Sequence, residues 1–84
     1  MKLTVRQLFV GFKSYFDKIE VNDKSALLSD EYRSYGDSPK AQAIYEEAMD
    51  KYGNYYVLDF LYWTDNNSIT VDVVETLEEL EDNE

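Results

Sequence analysis

The sequence predicts an α+β fold, a single small domain in which two helices cover one face of an antiparallel four-stranded sheet. Three observations lead to this prediction. Two segments place apolar residues at helical spacing, four short segments alternate apolar and polar residues, and their order is α-β-β-α-β-β. The 84 residues suffice for one domain. We expect that domain in residues 1–75 and an acidic C-terminal tail or short helical turn in residues 76–84. The pattern leaves the strand order open.

The first helix is predicted from a capping box. Thr4 supplies the N-cap hydroxyl, and Gln7 follows three residues later. Apolar residues then recur on one helical face: Val5, Leu8, Phe9 and Phe12. Gly11 weakens the helix slightly, and we expect it to end near Ser14 or Tyr15.

A hairpin is predicted next. Ile19 and Val21 alternate with polar residues, which is typical of a half-buried strand. The turn residues "NDKS" follow, and "ALLSD" is predicted to be the returning strand. Residues 31–37 are predicted to form a loop that carries Tyr32 and Tyr35.

The second helix has the clearest signals in the chain. Ser38 suits the N-cap position, and Pro39 suits the first helical position, where no N–H is needed. Apolar residues follow at helical spacing: Ala41, Ile44, Tyr45, Ala48, Met49 and Tyr52. Gly53 is predicted to end the helix in the left-handed conformation.

The last two strands are predicted to form a hairpin with a two-residue turn at Asn66-Asn67. This turn pairs Tyr62 with Val71 and Phe60 with Val73. The predicted core face then holds Tyr56, Leu58, Phe60, Tyr62, Ile69, Val71 and Val73. The opposite face holds Tyr55, Val57, Asp59, Leu61, Trp63, Thr70, Asp72 and Val74, with Asp59 and Asp72 as diagonal neighbours. A one-residue slip would bury Asp59 beside Val73, which would cost several kcal/mol.

The negative charge is concentrated in the last part of the chain. Residues 1–51 carry nine acids and eight bases, whereas residues 52–84 carry nine acids and no base, for a total of −10. A field of this sign repels nucleic acid and membrane surfaces and favours basic proteins or cations. We therefore expect a basic protein as partner, with no direct nucleic-acid or membrane binding.

The residue types argue against an enzyme. The chain contains no histidine and no cysteine, which removes the commonest general base, thiolate zinc sites and disulfides. Asp59 and Asp72 resemble a carboxylate dyad or a two-ligand cation site, but no motif surrounds them, and "TDNNS" lacks EF-hand spacing. We expect no catalysis, no cofactor and no metal. The chain also lacks a membrane-length apolar run and a signal-peptide cleavage pattern, so we expect a cytoplasmic location.

The face with Asp59 and Asp72 is the candidate binding surface, because aromatic anchors inside an acidic surround suit partner recognition. The predicted contact residues are Asp59, Trp63, Asp65, Asp72, Glu75, Glu78 and Glu79, with a second patch of Glu46, Glu47 and Asp50. Two alternatives remain open. The acidic end is a solvated, frayed tail, or Trp63 and Leu61 are covered by "TLEEL" or by the Tyr32–Tyr35 loop.

The segments "LTVRQLF", "IEVND", "LLSDE" and "KYGNYYVLDFLYWTDNNSITVDVVE" resemble short proteins of bacteriophages and mobile elements in style and element order, over most of the chain. Within that group the chain is similar to small acidic anti-CRISPR and anti-restriction inhibitors, which mimic nucleic acid. The resemblance implies an inhibitor, monomeric or homodimeric, that occupies the nucleic-acid cleft of a defence nuclease or effector in the host cytoplasm. Two alternatives stay open: an immunity or antitoxin protein that blocks a basic toxin, and a structural or assembly module.

Overall fold

The computed structural model describes residues 2–11, 15–34 and 38–82. The elements are α1 (Val5–Val10), β1 (Lys18–Asp23), β2 (Leu28–Arg33), α2 (Ser38–Tyr52), β3 (Tyr56–Trp63), β4 (Ser68–Val74) and α3 (Leu77–Asp82). A small α+β domain with four strands is therefore confirmed, and α3 adds a third helix to the two that were predicted.

The sheet is mixed, with the strand order β2-β1-β4-β3. Each hairpin is antiparallel, but β1 and β4 run parallel in the centre, with Ile19 opposite Ile69 and Val21 opposite Val71. The prediction of a fully antiparallel sheet was therefore wrong. Helix α2 carries the chain from one edge strand, β2, to the other, β3, so the second hairpin returns its strand beside β1. β1 and β4 thereby take the centre of the sheet.

The core lies between the sheet and the first two helices. Val5, Leu8 and Phe9 of α1 and Ala48, Met49 and Tyr52 of α2 pack against Ile19, Val21, Ile69, Val71 and Val73. All four central valine and isoleucine side chains at the parallel pair are fully buried. Because both helices contact the same face, the opposite face of the sheet is left largely uncovered.

Helix α1 has the predicted capping box but is shorter than expected. The Gln7 N–H donates to Thr4 Oγ1 at 3.2 Å, and the Thr4 N–H donates to Gln7 Oε1 at 3.0 Å. The helix ends at Val10, where the Gly11 N–H donates to the Leu8 carbonyl and closes the last turn. The predicted extension falls on residues 12–14, which lie outside the described residues, as does Phe12.

Helix α2 ends at Tyr52 as predicted, but not for the predicted reason. Gly53 has no left-handed φ; its importance is the close approach of α1. A Cβ placed on Gly53 would lie 2.4 Å from Arg6 Nη2 and 2.5 Å from the Met49 carbonyl oxygen. The missing side chain lets Arg6 donate its backbone N–H to the Gly53 carbonyl at 2.9 Å, which joins the two helices.

The first hairpin is longer than the sequence suggested. Strand β2 is Leu28–Arg33, so Tyr32 lies in a strand and not in a loop, and it packs against the core. The turn spans residues 24–27, and Leu27 adopts a left-handed φ of 54°. Tyr35, the other tyrosine of the predicted loop, lies outside the described residues.

The second hairpin has a four-residue turn, 64–67, in place of the predicted two-residue turn. Trp63 pairs with Ser68, and Phe60 pairs with Val71 instead of Val73. Asn67 takes a left-handed φ of 50°, accepts a hydrogen bond from the Tyr62 hydroxyl and donates to the Tyr15 carbonyl. These contacts fix the longer turn, because asparagine tolerates the left-handed region and closes such loops.

Candidate functional site: the open face of the sheet

The face of the sheet turned away from α1 and α2 is the candidate site, and we call it the open face. Successive side chains of a strand point to opposite sides, so the residues that alternate with the buried core positions share this face. Its half-buried and exposed members are Lys18, Glu20, Asn22, Ser29, Glu31, Arg33, Tyr56, Asp59, Leu61, Trp63, Thr70 and Asp72.

Each of the four strands contributes one carboxylate to the open face. Glu31 of β2 lies opposite Glu20 of β1, and Asp72 of β4 lies opposite Asp59 of β3. Glu20 lies opposite Thr70, which is two residues before Asp72 on β4. Because neighbouring strands are ~4.8 Å apart, the four carboxylates span roughly 14 Å across the sheet.

The bases of the open face lie at one corner and neutralise only one of these acids. Lys18 and Arg33 both pair with Glu31, the lysine at 3.6 Å. The hydrogen bond from Arg33, more than any other contact, holds the pKa of Glu31 below its ordinary value. Within residues 2–11, 15–34 and 38–82, no lysine or arginine forms an ion pair with Glu20, Asp59 or Asp72. The uncompensated charge therefore lies towards β4 and β3.

Asp59 and Asp72 are each held by one carboxylate oxygen. Asn22 Nδ2 donates to Asp72 Oδ1 at 2.8 Å, and the Phe60 backbone N–H donates to Asp59 Oδ1 at 2.8 Å. In the part of the chain that the structure describes, the Oδ2 atoms of both aspartates have no hydrogen-bond donor. The two carboxylates are thus oriented by the protein and keep one accepting oxygen each.

A β-bulge at Leu58 brings Asp59 opposite Asp72. Val57 pairs with Val73, but the next paired residue of β3 is Asp59, so Leu58 is an extra residue in the strand. If the register of Val57 with Val73 continued without the bulge, Asp59 would lie opposite Val71, on the core side of the sheet. The sequence predicted a diagonal pair and placed Val57 on the same face as Asp59; Val57 is instead buried in the core. Bulges often re-aim side chains next to functional sites.

Leu61 and Trp63 give the open face its apolar contact area. Their side chains are 51% and 50% exposed, and Trp63 Nε1 donates to Thr70 Oγ1 at 3.4 Å. Both side chains are half exposed, so α3 leaves them accessible. Tyr32 packs against the core, and Tyr35, the other tyrosine of the expected cover, lies outside the described residues.

Helix α3 closes the far end of the open face. Val74 alternates onto the same side as Asp72, yet it is buried; Leu80 of α3, which contacts β3 and β4, is buried as well, and neither residue belongs to the main core cluster. Thr76 caps the helix, since its hydroxyl oxygen accepts from the Glu79 N–H at 3.2 Å. Residues 77–82 are therefore packed helix, and the acids of this segment border the sheet.

The remaining predicted contact residues do not form one surface with Asp59, Trp63 and Asp72. Asp65 lies in the β3–β4 turn, whereas Glu75, Glu78 and Glu79 lie beyond the other end of β4. The seven residues of β4 separate these ends by roughly 20 Å. Burial raises the pKa of Tyr55, and the Asp23, Glu75 and Glu79 carboxylates add to this effect. Glu75 and Glu79 therefore lie near Tyr55.

The predicted second patch lies on the other side of the molecule. Glu46, Glu47 and Asp50 are exposed on α2, the helix that covers the core face. Three further residues of the open face, Glu20, Asn22 and Glu31, were not predicted as site residues. Their alternation with buried or half-buried residues along β1 and β2 could be seen in the sequence, but the pairing of β1 with β4, which brings β1 beside Asp72, could not.

Neither a metal cluster nor a membrane-spanning helix is found in the described part of the chain. No group of three or more acidic residues there is arranged to hold a metal ion. None of the described helices combines the length and the apolar character needed to cross a bilayer. Comparisons with protein-family models, with curated proteins and with solved structures gave no match.

Proposed function

We propose that the protein is a non-enzymatic inhibitor that binds a basic, nucleic-acid-binding defence nuclease or effector. The open face lies against the surface where the phosphates of nucleic acid would bind. The observation that carries this proposal is the cross-strand pair of Asp59 and Asp72, two oriented carboxylates without a base beside them.

The spacing of the carboxylates supports mimicry of a phosphate array. DNA carries one negative charge per ~3.4 Å along each strand, and proteins bind it with rows of lysine and arginine. The open face offers Asp59 and Asp72 at directly opposed positions on adjacent strands ~4.8 Å apart, and Glu20 on the third strand, offset from Asp72 by two residues along the strand. A sheet holds these charges at fixed separations, so the partner's basic residues meet them without a large ordering cost.

The open face also carries apolar residues. In the proposed complex they contact the part of the partner's surface that the bases of nucleic acid would contact. Leu61 and Trp63 lie on the edge strand β3, next to the acidic pair and half exposed. Aromatic residues that become fully desolvated contribute much of the energy of many protein interfaces. The net charge of −10 adds long-range attraction to a basic partner and raises the association rate.

The proposal is tested by competition with nucleic acid. Proteins of the source cell that bind heparin, a polyanion, are passed over immobilised protein, and the captured partner is then bound to labelled DNA or RNA. Addition of the free protein is expected to displace the nucleic acid, and the displacement is expected to weaken steeply as salt is raised.

Two charge-reversed variants sharpen this test. Asp59→Lys together with Asp72→Lys is expected to abolish displacement, because both reversals lie on the open face. Asp65→Lys with Glu47→Lys makes the same change in net charge away from that face and is expected to retain most of it. Equal loss with both double variants would contradict the proposal. Capture that is indifferent to salt and to both variants would also contradict it, in favour of an assembly module.

A further inference from the structure

We infer that a cavity at one end of the sheet is a binding site for a small oxyanion, a phosphate group. The cavity is formed where β1 begins, between the end of β2 and the β3–β4 turn. Its lining residues are Asp17, Lys18, Arg33, Ser34 and Asn66. The inference goes beyond the proposed function and does not depend on it, because neither Asp59 nor Asp72 lines this cavity.

Backbone hydrogen bonds hold the three segments of the cavity together. The Ser34 N–H donates to the Asp17 carbonyl at 2.7 Å, and the Asp17 N–H donates to the Asn67 carbonyl at 2.8 Å. The end of β2 and the β3–β4 turn are thereby both fixed to the chain just before β1. A site whose walls are formed before the ligand arrives loses less conformational entropy when the ligand binds.

The Ser34 hydroxyl is the group that points to a ligand. Ser34 is 8% exposed, and its Oγ atom has no hydrogen-bond partner in the part of the chain that the structure describes. Buried hydroxyl groups are nearly always hydrogen-bonded, since one without a partner lowers the stability of the fold. Because Ser34 lines the cavity, a ligand bound there can supply the acceptor.

The Asn66 side chain adds a second donor. Its Oδ1 atom accepts a hydrogen bond from the hydroxyl of the buried Ser68 at 2.7 Å, which orients the amide group. Within the described ranges, the Asn66 Nδ2 atom donates to no acceptor. An oriented amide and a buried hydroxyl that both lack an acceptor favour a ligand rich in acceptor oxygens.

The charges of the lining favour an anion. Lys18 and Arg33 supply two bases against one acid, Asp17, in a chain whose net charge is −10. Both bases pair with Glu31, the lysine at 3.6 Å. An ammonium group has three donors, so a lysine with one ion pair can still donate to a second anion. The Asp17 side chain is exposed, and solvent therefore screens its repulsion of the ligand.

The size of the cavity suits a small ion. Its volume is about 280 Å³, just below the ~300–1,000 Å³ of sites for drug-sized molecules. Phosphate presents four oxygens in different directions, so it can accept from donors on three segments at once. Lysine and arginine are the usual bases of phosphate sites in proteins. Free phosphate and a phosphoryl group carried by a larger molecule share this chemistry.

The test is a titration of the isotopically labelled protein with sodium phosphate, followed by amide chemical shifts. Sodium chloride at the same ionic strength and pH is the reference, because added salt also screens the charges of the protein. We expect saturable changes with phosphate, and not with chloride, at the lining residues. Phosphoserine is titrated in the same way. Saturable binding of phosphoserine would assign the site to phosphoryl groups on larger molecules as well, and binding of phosphate alone would assign it to the free ion.

Two variants remove one donor each. Ser34→Ala is expected to weaken phosphate binding about tenfold, since a hydrogen bond to a charged group contributes at least that factor. Asn66→Asp keeps an acceptor for the Ser68 hydroxyl but replaces the amide donor with a charged oxygen, and is expected to weaken binding by about tenfold or more. Asn54→Asp makes the same charge change at an exposed residue outside the cavity and is expected to retain the affinity.

Urea unfolding without phosphate completes the test. Ser34→Ala is expected to be at least as stable as the parent, because the hydroxyl that it removes has no partner in the described fold. A clearly less stable variant would show that this hydroxyl serves the fold, and it would overturn the inference. Equal shifts with phosphate and chloride, or equal affinity in all three variants, would also overturn it. Each of these results leaves the proposed function standing, since that function is tested at Asp59 and Asp72.

Discussion

Asp59 of β3 and Asp72 of β4 face each other directly across an antiparallel strand pair, on the face of the sheet that α1 and α2 leave uncovered. Like charges in this position destabilise a sheet, by roughly 0.2–1 kcal/mol relative to neutral pairs. The chain nevertheless holds both carboxylates in place with hydrogen bonds from Asn22 and from the Phe60 N–H. A locally destabilising pair of this kind is expected at a binding site, where the residues contribute to recognition of a partner more than to the stability of the fold.

The first prediction concerns the cost of this pair. Asp59→Asn is expected to raise the free energy of unfolding by about 0.5 kcal/mol at low salt, because it removes the repulsion with Asp72. The amide oxygen of the new side chain can still accept from the Phe60 N–H. Urea unfolding at low and high salt measures the effect, which should shrink as salt screens the charges.

Asp65→Asn is the matched control for that measurement. It removes one carboxylate from an exposed turn with no opposed acid and is expected to change stability by less than about 0.5 kcal/mol. A destabilised Asp59→Asn protein, or equal gains for the two variants, would show that the pair is not repulsive.

The second prediction concerns the packing of α1 on the end of α2. Gly53→Ala is expected to destabilise the fold by about 1–3 kcal/mol, since the added methyl group overlaps the Met49 carbonyl and the Arg6 guanidinium. Gly11→Ala is the control, because a Cβ placed on Gly11 would lie 3.3 Å from the Leu8 carbonyl oxygen, a much milder contact. Thermal unfolding of both variants checks this, and a Gly53→Ala protein as stable as the parent would refute the close approach.

The third prediction concerns the strained turn between β1 and β2. Leu27 has a φ of 54°, and its side chain is 89% exposed. The left-handed backbone conformation therefore lowers the stability of the fold, and packing of the side chain does not offset this loss. Leu27→Gly is expected to stabilise the protein by about 1 kcal/mol. Ala26→Gly, at the preceding turn position, has no positive φ to relieve and should not stabilise. Denaturant midpoints that move the same way for both variants would contradict the assignment of strain.

The fourth prediction is a pH dependence. The hydrogen bond from Lys51, then the one from the buried Tyr52 hydroxyl, lowers the pKa of Asp30 from its ordinary 3.8. A carboxyl group with a lowered folded-state pKa stabilises the protein above its unfolded-state pKa. That stabilisation disappears as the pH falls through the folded-state pKa. Asp30→Asn should therefore be less stable than the parent at pH 6, and the difference should diminish below about pH 4.

Urea unfolding from pH 6 down to pH 3 measures this difference, with Asp50→Asn as control. Asp50 is exposed on α2 and has no ion pair with any described residue. Its neutralisation should leave the pH profile parallel to that of the parent. A constant difference between parent and Asp30→Asn across the range would show that the contacts with Lys51 and Tyr52 do not act on the charged form.

Local signals in the sequence predicted the elements well and the tertiary arrangement less well. Elements that depend on neighbours within a few residues could be predicted from the sequence. These are the Thr4 capping box, the strand at Ile19 and Val21 and the helix after Pro39. The parallel pairing of β1 with β4 depends on where α2 crosses the sheet, which no local pattern encodes. The all-antiparallel prediction was wrong for that reason.

The residues of the candidate site were likewise predicted only in part. Alternation along β3 and β4 correctly put Asp59, Trp63 and Asp72 on one face. The longer turn and the bulge at Leu58 changed which residues oppose each other, because turn length and the extra residue follow from packing of the whole hairpin. Glu20 joins the acidic surface only through the β1–β4 pairing, so the linear sequence gave no reason to include it.

The central claim is that a basic partner binds the open face at Asp59 and Asp72. The most direct measurement is the map of amide chemical-shift changes in the isotopically labelled protein when an arginine-rich peptide is added. We expect the largest changes at the residues that line a depression around this pair, namely Asn22, Asp59, Phe60, Leu61, Thr70 and Asp72. Changes confined to the acids of α2 or α3, or spread evenly over all exposed carboxylates, would contradict it.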